Sequence, residues 1–180
     1  MQIGILEPKD FSNVALDKLS EIGEVELFDG KDLNIFISNK ETIFTRLKYF
    51  LDKDFLDSAY NLKYICSPTT GLNHLDLDAF TQKKIKVISL KGEFEFLSSI
   101  RATPEHTFGL VLSLLRNYKD VFLAKDNFKW DREQYKGFEL SKNSVGIIGF
   151  GRVGRQLSKY FDAFDTKVYF YDIDQSIKEV

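Results

Sequence analysis

Ser144-Val-Gly-Ile-Ile-Gly-Phe-Gly-Arg-Val-Gly-Arg155, answered further on by Lys167-Val-Tyr-Phe-Tyr-Asp172, is the stretch whose reading decides the fold. Val145, Ile147 and Ile148 form a short apolar run of the kind a buried parallel strand carries. Gly149, Gly151 and Gly154 follow in G-x-G-x-x-G spacing. The first glycine permits a tight turn, the second lets a pyrophosphate approach the backbone, and the third lets helix and strand pack closely. The backbone N–H groups of Arg152 and Val153 then open a helix whose dipole favours an anion. Val153, Leu157, Phe161 and Phe164 recur at helical spacing, and a second strand, Val168–Tyr171, ends at Asp172, 18 positions beyond Gly154. A carboxylate there is placed to accept both hydroxyls of an adenine ribose. The competing reading is a glycine-rich turn followed by a surface aspartate. Strand, glycines, helix, strand and acid in that order favour dinucleotide binding.

Charge then selects the cofactor. A carboxylate at Asp172 repels the 2′-phosphate of NADP, and Ile173, Asp174 and Gln175 supply no arginine to hold one. NAD is the expected cofactor.

At 180 residues the chain has room for one large domain or two small ones. A net charge of -2 gives no electrostatic reason to expect nucleic acid. The start, Met-Gln-Ile-Gly-Ile-Leu-Glu, lacks the basic region and long apolar run of a signal peptide, and no apolar stretch reaches membrane-spanning length. The single cysteine, Cys66, excludes an internal disulfide and suits a reducing cytoplasm. Its apolar surroundings favour a packed thiol over a nucleophile.

The first hundred or so residues alternate short apolar runs with amphipathic stretches, an α/β organisation. Strands are expected at Gln2–Leu6, Glu24–Phe28, Leu33–Ser38, Leu62–Cys66 and Ile85–Leu90. Helices are expected around Ala15–Ile22, over Phe44, Leu47, Phe50, Leu51 and Phe55, and around Leu75–Lys83. The pattern suggests a flavodoxin-like parallel sheet. After its fourth strand comes Ser67-Pro-Thr-Thr-Gly-Leu-Asn-His-Leu-Asp76. Ligands of open parallel sheets bind outside the carboxyl ends of strands, so this loop is well placed to meet one. Gly71 permits close backbone approach, and the N–H groups of Leu72 and Asn73 can hold a carboxylate. Asn73 serving only as a helix cap, with Gly71 only making the turn, is an equally good local reading.

Gly71-Leu-Asn-His-Leu-Asp-Leu77, Lys84-Ile-Lys-Val-Ile88, Thr103-Pro-Glu-His-Thr-Phe-Gly-Leu110, Leu112–Arg116, Trp130, Gly137–Leu140 and Val145–Gly154 form an ordered series. This series resembles the D-isomer-specific 2-hydroxyacid dehydrogenases, which include phosphoglycerate and D-lactate dehydrogenases. The resemblance runs from about Leu62 onward. It implies a flavodoxin-like substrate domain, 1–103, followed by the start of a doubly wound Rossmann NAD domain, 104–180, with the active site in a cleft between them. It also implies that Gly71, Leu72 and Asn73 hold the carboxylate of a 2-hydroxy or 2-oxo acid. Many members carry an arginine near the position of Ser67, where this chain departs.

Thr103 suits an N-cap, Pro104 the first helical position and Glu105 the positive end of a helix reaching Arg116. Phe108, Leu110, Val111, Leu112, Leu114 and Leu115 make that helix apolar nearly all round, so it is expected to be buried. The resemblance brings Thr107 close to the cofactor, while a mid-helix threonine can simply bond its own preceding turn. It also makes the region 117–140, with Phe122, Phe128, Trp130 and Tyr135, an arm that packs against a second subunit. A surface loop folding back on its own domain is the alternative.

The family uses a histidine, an orienting acid and an arginine from the later part of the NAD domain. Only His74 and His106 are present, and adjacent Glu105 and His106 do not face each other on a helix. No residue of the chain is assigned as catalytic, and a stand-alone Rossmann domain stopped after two strands is expected to leave strand edges unpaired. The favoured function is the N-terminal part of an NAD-dependent 2-hydroxyacid dehydrogenase, cytoplasmic and homodimeric, free of nucleic acid and membrane. A non-catalytic NAD-binding module and a flavodoxin-like regulatory domain are the alternatives.

Overall fold

The computed structural model describes residues 1–124 and 132–177, which fall into two compact units, Met1–Glu93 and Phe94–Val180. Phe128 and Trp130, two of the aromatic residues of the expected 117–140 arm, lie outside the described residues.

The first unit is a five-stranded parallel sheet of order β2-β1-β3-β4-β5, the flavodoxin-like arrangement. Its strands are β1 (Gln2–Ile5), β2 (Glu24–Leu27), β3 (Thr42–Phe44), β4 (Tyr64–Ser67) and β5 (Lys86–Ser89). Helices α1 (Asn13–Ser20), α2 (Leu33–Ile37), α3 (Lys53–Ser58) and α4 (Leu77–Gln82) connect them. Each starts on an acceptor side chain: Ser12, Asp32, Asp52 and Asp76 take the N–H groups of Ala15, Ile35, Phe55 and Ala79. Ile37, Ile43, Leu51, Ile65 and Phe80 are fully buried at the centre of one core.

Two expectations fail here, at neighbouring places. Leu33–Ser38 is not a strand but α2, because Asp32 caps the run and turns Phe36 and Ile37 together into the core. A short apolar run carries no period that separates strand from helix. The third strand is instead Thr42–Phe44, only three residues long, so the expected helix beginning at Phe44 is absent. Phe44 pairs with Ile5 and Cys66 across the sheet, Leu51 bridges Leu75, and helix resumes only at Lys53.

The second unit holds α5 (Phe94–Ser98), α6 (Ala102–Leu115), α7 (Tyr118–Leu123), β6 (Ser144–Ile148), α8 (Arg152–Asp162) and β7 (Lys167–Tyr171). β6 and β7 pair in parallel, with Val145 opposite Val168 and Ile147 opposite Phe170. One face of this pair packs on α8 through Leu157 and Phe161. Phe108 of α6 sits edge-on to Tyr160, Phe161 and Phe164. On the other face Ile148 is 90% exposed and Tyr171 60%.

α6 differs from expectation in two respects. It starts at Ala102, so Thr103 lies inside the first turn, and Arg101 at the cap position makes no side-chain bond. Pro104 is tolerated there because first-turn N–H groups have no intrahelical partner. Nor is the helix buried all round: Leu110 is 57% exposed and Leu114 79%, and only Pro104 is buried. Its packed stripe is Phe108, Val111, Leu112 and Leu115.

Candidate functional site

Two sites emerge, one in each unit, each at the carboxyl end of a parallel strand. In the second unit, β6 runs into Gly149, whose φ of +94° lies in the left-handed region that glycine enters without strain. Gly149 N–H donates to the Tyr171 carbonyl at 2.8 Å, so the turn opens against the end of β7. Gly154 meets the same turn from α8: a Cβ there would lie 2.4 Å from the Gly149 carbonyl oxygen and 3.2 Å from Ile147 Cγ2. Gly151, at the N-cap of α8, faces open space, with nothing within 4 Å of where its Cβ would be. Gly149 makes the tight turn and Gly154 the close helix–strand contact read from their spacing, and Gly151 leaves open space at the helix start.

No side chain caps α8. The backbone N–H groups of Gly151, Arg152, Val153 and Gly154 have no acceptor among the described residues. An uncapped helix start with free donors is a ready anion seat. The Arg152 side chain turns elsewhere, donating to the carbonyls of Leu97 at 3.2 Å and Ile100 at 3.1 Å, while Gln156 donates to Ser98 at 2.8 Å. Arg152 thus leaves its backbone N–H free while its guanidinium ties α8 to the segment ahead of α6.

Asp172 stands at the mouth of the turn. Its Oδ2 accepts from the Phe150 N–H and its Oδ1 from the Asp174 N–H at 3.0 Å. These donors, Asp174 first and then Phe150, hold its carboxyl below the usual carboxylate range. Each oxygen keeps a second lone pair for an outside donor. Phe150 is fully buried and stacks on Phe170 at 4.0 Å between centroids. Residues 173–175 supply no cation, but α8 brings Arg155 over the Phe150 ring at 5.4 Å, a charge that strand-end reading missed. Thr107 sits on α6 with its hydroxyl donating to the Thr103 carbonyl at 2.9 Å, the local alternative read from its mid-helix position.

In the first unit the loop after β4 is tied to the loop after β3. Leu51 N–H donates to the His74 carbonyl and Asp76 N–H to the Leu51 carbonyl, both at 2.9 Å. The Glu7 carboxylate, beyond β1, gathers the Thr45 hydroxyl at 3.2 Å, the Arg46 N–H, and the Lys48 N–H at 3.3 Å. The half-buried Leu72 side chain packs against the core. The N–H groups of Gly71, Leu72 and Asn73 have no acceptor among the described residues. Asn73 is not a helix cap, since Asp76 caps α4. A shallow cavity lies beside this loop, lined by Leu47, Phe50, Gly71, Asn73 and His74.

His74 is 8% exposed, and burial pushes its imidazole below the ordinary value, with the Glu7 charge opposing. Its Nε2 lies 3.4 Å from Ser67 Oγ, while Nδ1 is buried without a partner. His106 is exposed on α6. Cys66 has its thiol pushed up to about 11 by burial, which keeps it protonated and inert.

The chain is similar to known proteins in both sequence and fold. Residues 5–142 match the D-isomer specific 2-hydroxyacid dehydrogenase catalytic domain, and residues 108–180 match the NAD binding domain of the same family. D-3-phosphoglycerate dehydrogenase of Methanocaldococcus jannaschii is 32% identical over 161 residues, covering 88% of this chain and 30% of that protein. Among solved structures, NAD-dependent formate dehydrogenase from Staphylococcus aureus in complex with NAD superposes with a TM-score of 0.84 at 25% identity, over 99% of this chain and 58% of that one. D-lactate dehydrogenase from Aquifex aeolicus, complexed with NAD and lactic acid, gives a TM-score of 0.78 at 25% identity, over 99% and 52%. The chain thus spans between about a third and three fifths of the length of these relatives. By sequence, by fold and by its glycine turn, the chain belongs to the D-isomer specific 2-hydroxyacid dehydrogenase family.

Proposed function

We propose that this chain supplies the nucleotide turn and the substrate-carboxylate loop of an NAD-dependent oxidoreductase that interconverts a D-2-hydroxy acid and its 2-oxo acid. The observation that carries the reading is the uncapped start of α8, with four unpartnered N–H groups, open space at Gly151 and a carboxylate at its mouth. Bound NAD would supply the hydride acceptor. The chain's own residues bind and orient. The N–H groups of Gly151, Arg152, Val153 and Gly154 hold the diphosphate, and the remaining lone pairs of Asp172 take the ribose hydroxyls. The N–H groups of Leu72 and Asn73, with Gly71 leaving room, hold the substrate carboxylate.

No residue of the chain is assigned to proton transfer. His74 Nδ1 is buried and His106 lies exposed on a helix surface, so neither has the access and surroundings a general base needs. Binding without turnover is the expected behaviour of these 180 residues. Region 117–140 would pair with a second copy, and light scattering tests that point: a clean monomer contradicts it. Titration of the 15N-labelled chain with NAD tests the main reading. The amide signals of residues 151–154 are expected to move first and furthest, and signals that stay fixed at millimolar NAD would remove the turn from cofactor binding.

A further inference from the structure

The loop that presents Leu72 and Asn73 is held by a side-chain relay that neither the glycine nor the helix cap accounts for. Thr69 Oγ1 donates to the Gly71 carbonyl at 2.9 Å. Ser67 Oγ lies 2.9 Å from Thr69 Oγ1, and His74 Nε2 lies 3.4 Å from Ser67 Oγ. Each hydroxyl has one proton, which fixes the direction of every bond. Thr69 uses its proton on Gly71, so Ser67 must donate to Thr69. Ser67 then has none left, so His74 must donate from Nε2. The tautomer follows: Nε2 carries the hydrogen and Nδ1 is a bare lone pair. Nδ1, buried without a hydrogen-bond partner, is left as an unsatisfied acceptor.

We propose that His74 is a positioning residue for the substrate carboxylate: as the Nε2–H tautomer it drives the Ser67–Thr69 relay that fixes the Gly71 carbonyl, and so keeps the adjacent Leu72 and Asn73 amides facing outward. This rests on the reading of that loop as the carboxylate seat. The Gly71 carbonyl and the Leu72 N–H belong to one planar trans peptide, so pinning the carbonyl fixes that N–H on the opposite side. Ser67 is 3% exposed and His74 8%, so the first link is shielded from water that would compete for it. The following peptide, which carries the Asn73 N–H, is braced separately by the Leu75 N–H on the Leu72 carbonyl at 2.9 Å.

Two measurements on the full 180-residue chain test it. Long-range proton–nitrogen NMR of the imidazoles is expected to show His74 neutral with Nε2 protonated, and exposed His106 serves as internal reference. An Nδ1-protonated or cationic His74 at neutral pH overturns the relay. Oxalate, a two-carboxylate probe of the seat, is then titrated while the Gly71, Leu72 and Asn73 amides are observed. Thr69→Val removes the relay proton at a half-buried site and is expected to weaken oxalate roughly fivefold, the effect of one neutral hydrogen bond. His74→Leu should do the same, and His74→Gln, which retains a donor at the Nε2 position, should recover most of the loss. Unchanged oxalate affinity in Thr69→Val and His74→Leu overturns the positioning role. Oxalate that moves none of these amides in the unaltered chain overturns the carboxylate seat itself, while the imidazole spectrum still reports on the relay.

Discussion

The turn after β6 and the loop after β4 occupy equivalent places, each at the carboxyl end of a parallel strand and each presenting free backbone N–H groups. They reach that state by different means. The β6 turn is held by backbone geometry: Gly149 at positive φ, Gly154 against the Gly149 carbonyl, and one carboxylate from the neighbouring strand. The β4 loop is held by backbone bonds to Leu51 and, around its glycine, by the side chains of Thr69, Ser67 and His74. Its glycine has no positive φ and nothing within 4 Å of its missing Cβ, so the fold itself does not require it. A glycine demanded by the chain's own packing and a glycine the packing leaves free are different things, and the two loops separate them.

Gly154→Ala should break the first loop hardest. The new Cβ would press on the Gly149 carbonyl, whose peptide is held through the Phe150 N–H by Asp172, at a cost on the order of 3 kcal/mol. A fall in thermal midpoint together with loss of NAD-induced amide shifts checks it. Asp172→Asn comes next: NAD affinity should fall roughly tenfold as the charged acceptor is lost. Discrimination against NADP should relax in the same titration, helped by Arg155, already poised over the Phe150 ring.

Gly71→Ala sharpens the contrast from the other side. Stability should stay within about 0.5 kcal/mol, because the added methyl meets nothing. Oxalate binding should still weaken, because the methyl occupies the approach to the amides, and a stability loss equal to that of Gly154→Ala would erase the distinction. The smallest effect is that of pH. Burial lowers the imidazole of His74 below its ordinary 6.5, so its contribution to stability is complete above that value and is lost as pH falls through the folded pKa. The thermal midpoint should begin to decline below about 6.5, and the His74→Gln chain should lack that part of the decline.

The β6 turn was legible in the sequence because sterics dictate residue type: only glycine satisfies positions 149 and 154, and their spacing is fixed by the strand-to-helix turn. Asp172 was legible for the same reason, as the residue just past the β7 end. The carboxylate loop could be placed by its position after β4, but its anchor could not. Serine, threonine and histidine at positions 67, 69 and 74 have no spacing that separates a relay from ordinary loop polarity. Arg155 escaped because it reaches the Phe150 ring from α8 rather than from the residues that follow β7. In the fold, β3 was missed because three residues carry no readable period, and α2 because Asp32 outweighs the strand preference of Ile35 and Ile37. The exposure of Leu110 and Leu114 shows the limit of composition: apolar residues all round a helix do not say which of them are covered.

The central claim is that the N–H groups from Gly151 to Gly154 cup a diphosphate while Asp172 grips the adjoining sugar. Calorimetric titration of the chain with NAD and with NADP tests it most directly. The account predicts heat and saturation with NAD and binding of NADP weaker by about tenfold or more, the discrimination a carboxylate imposes on a 2′-phosphate. No heat with NAD, or equal affinities for the two, would contradict it.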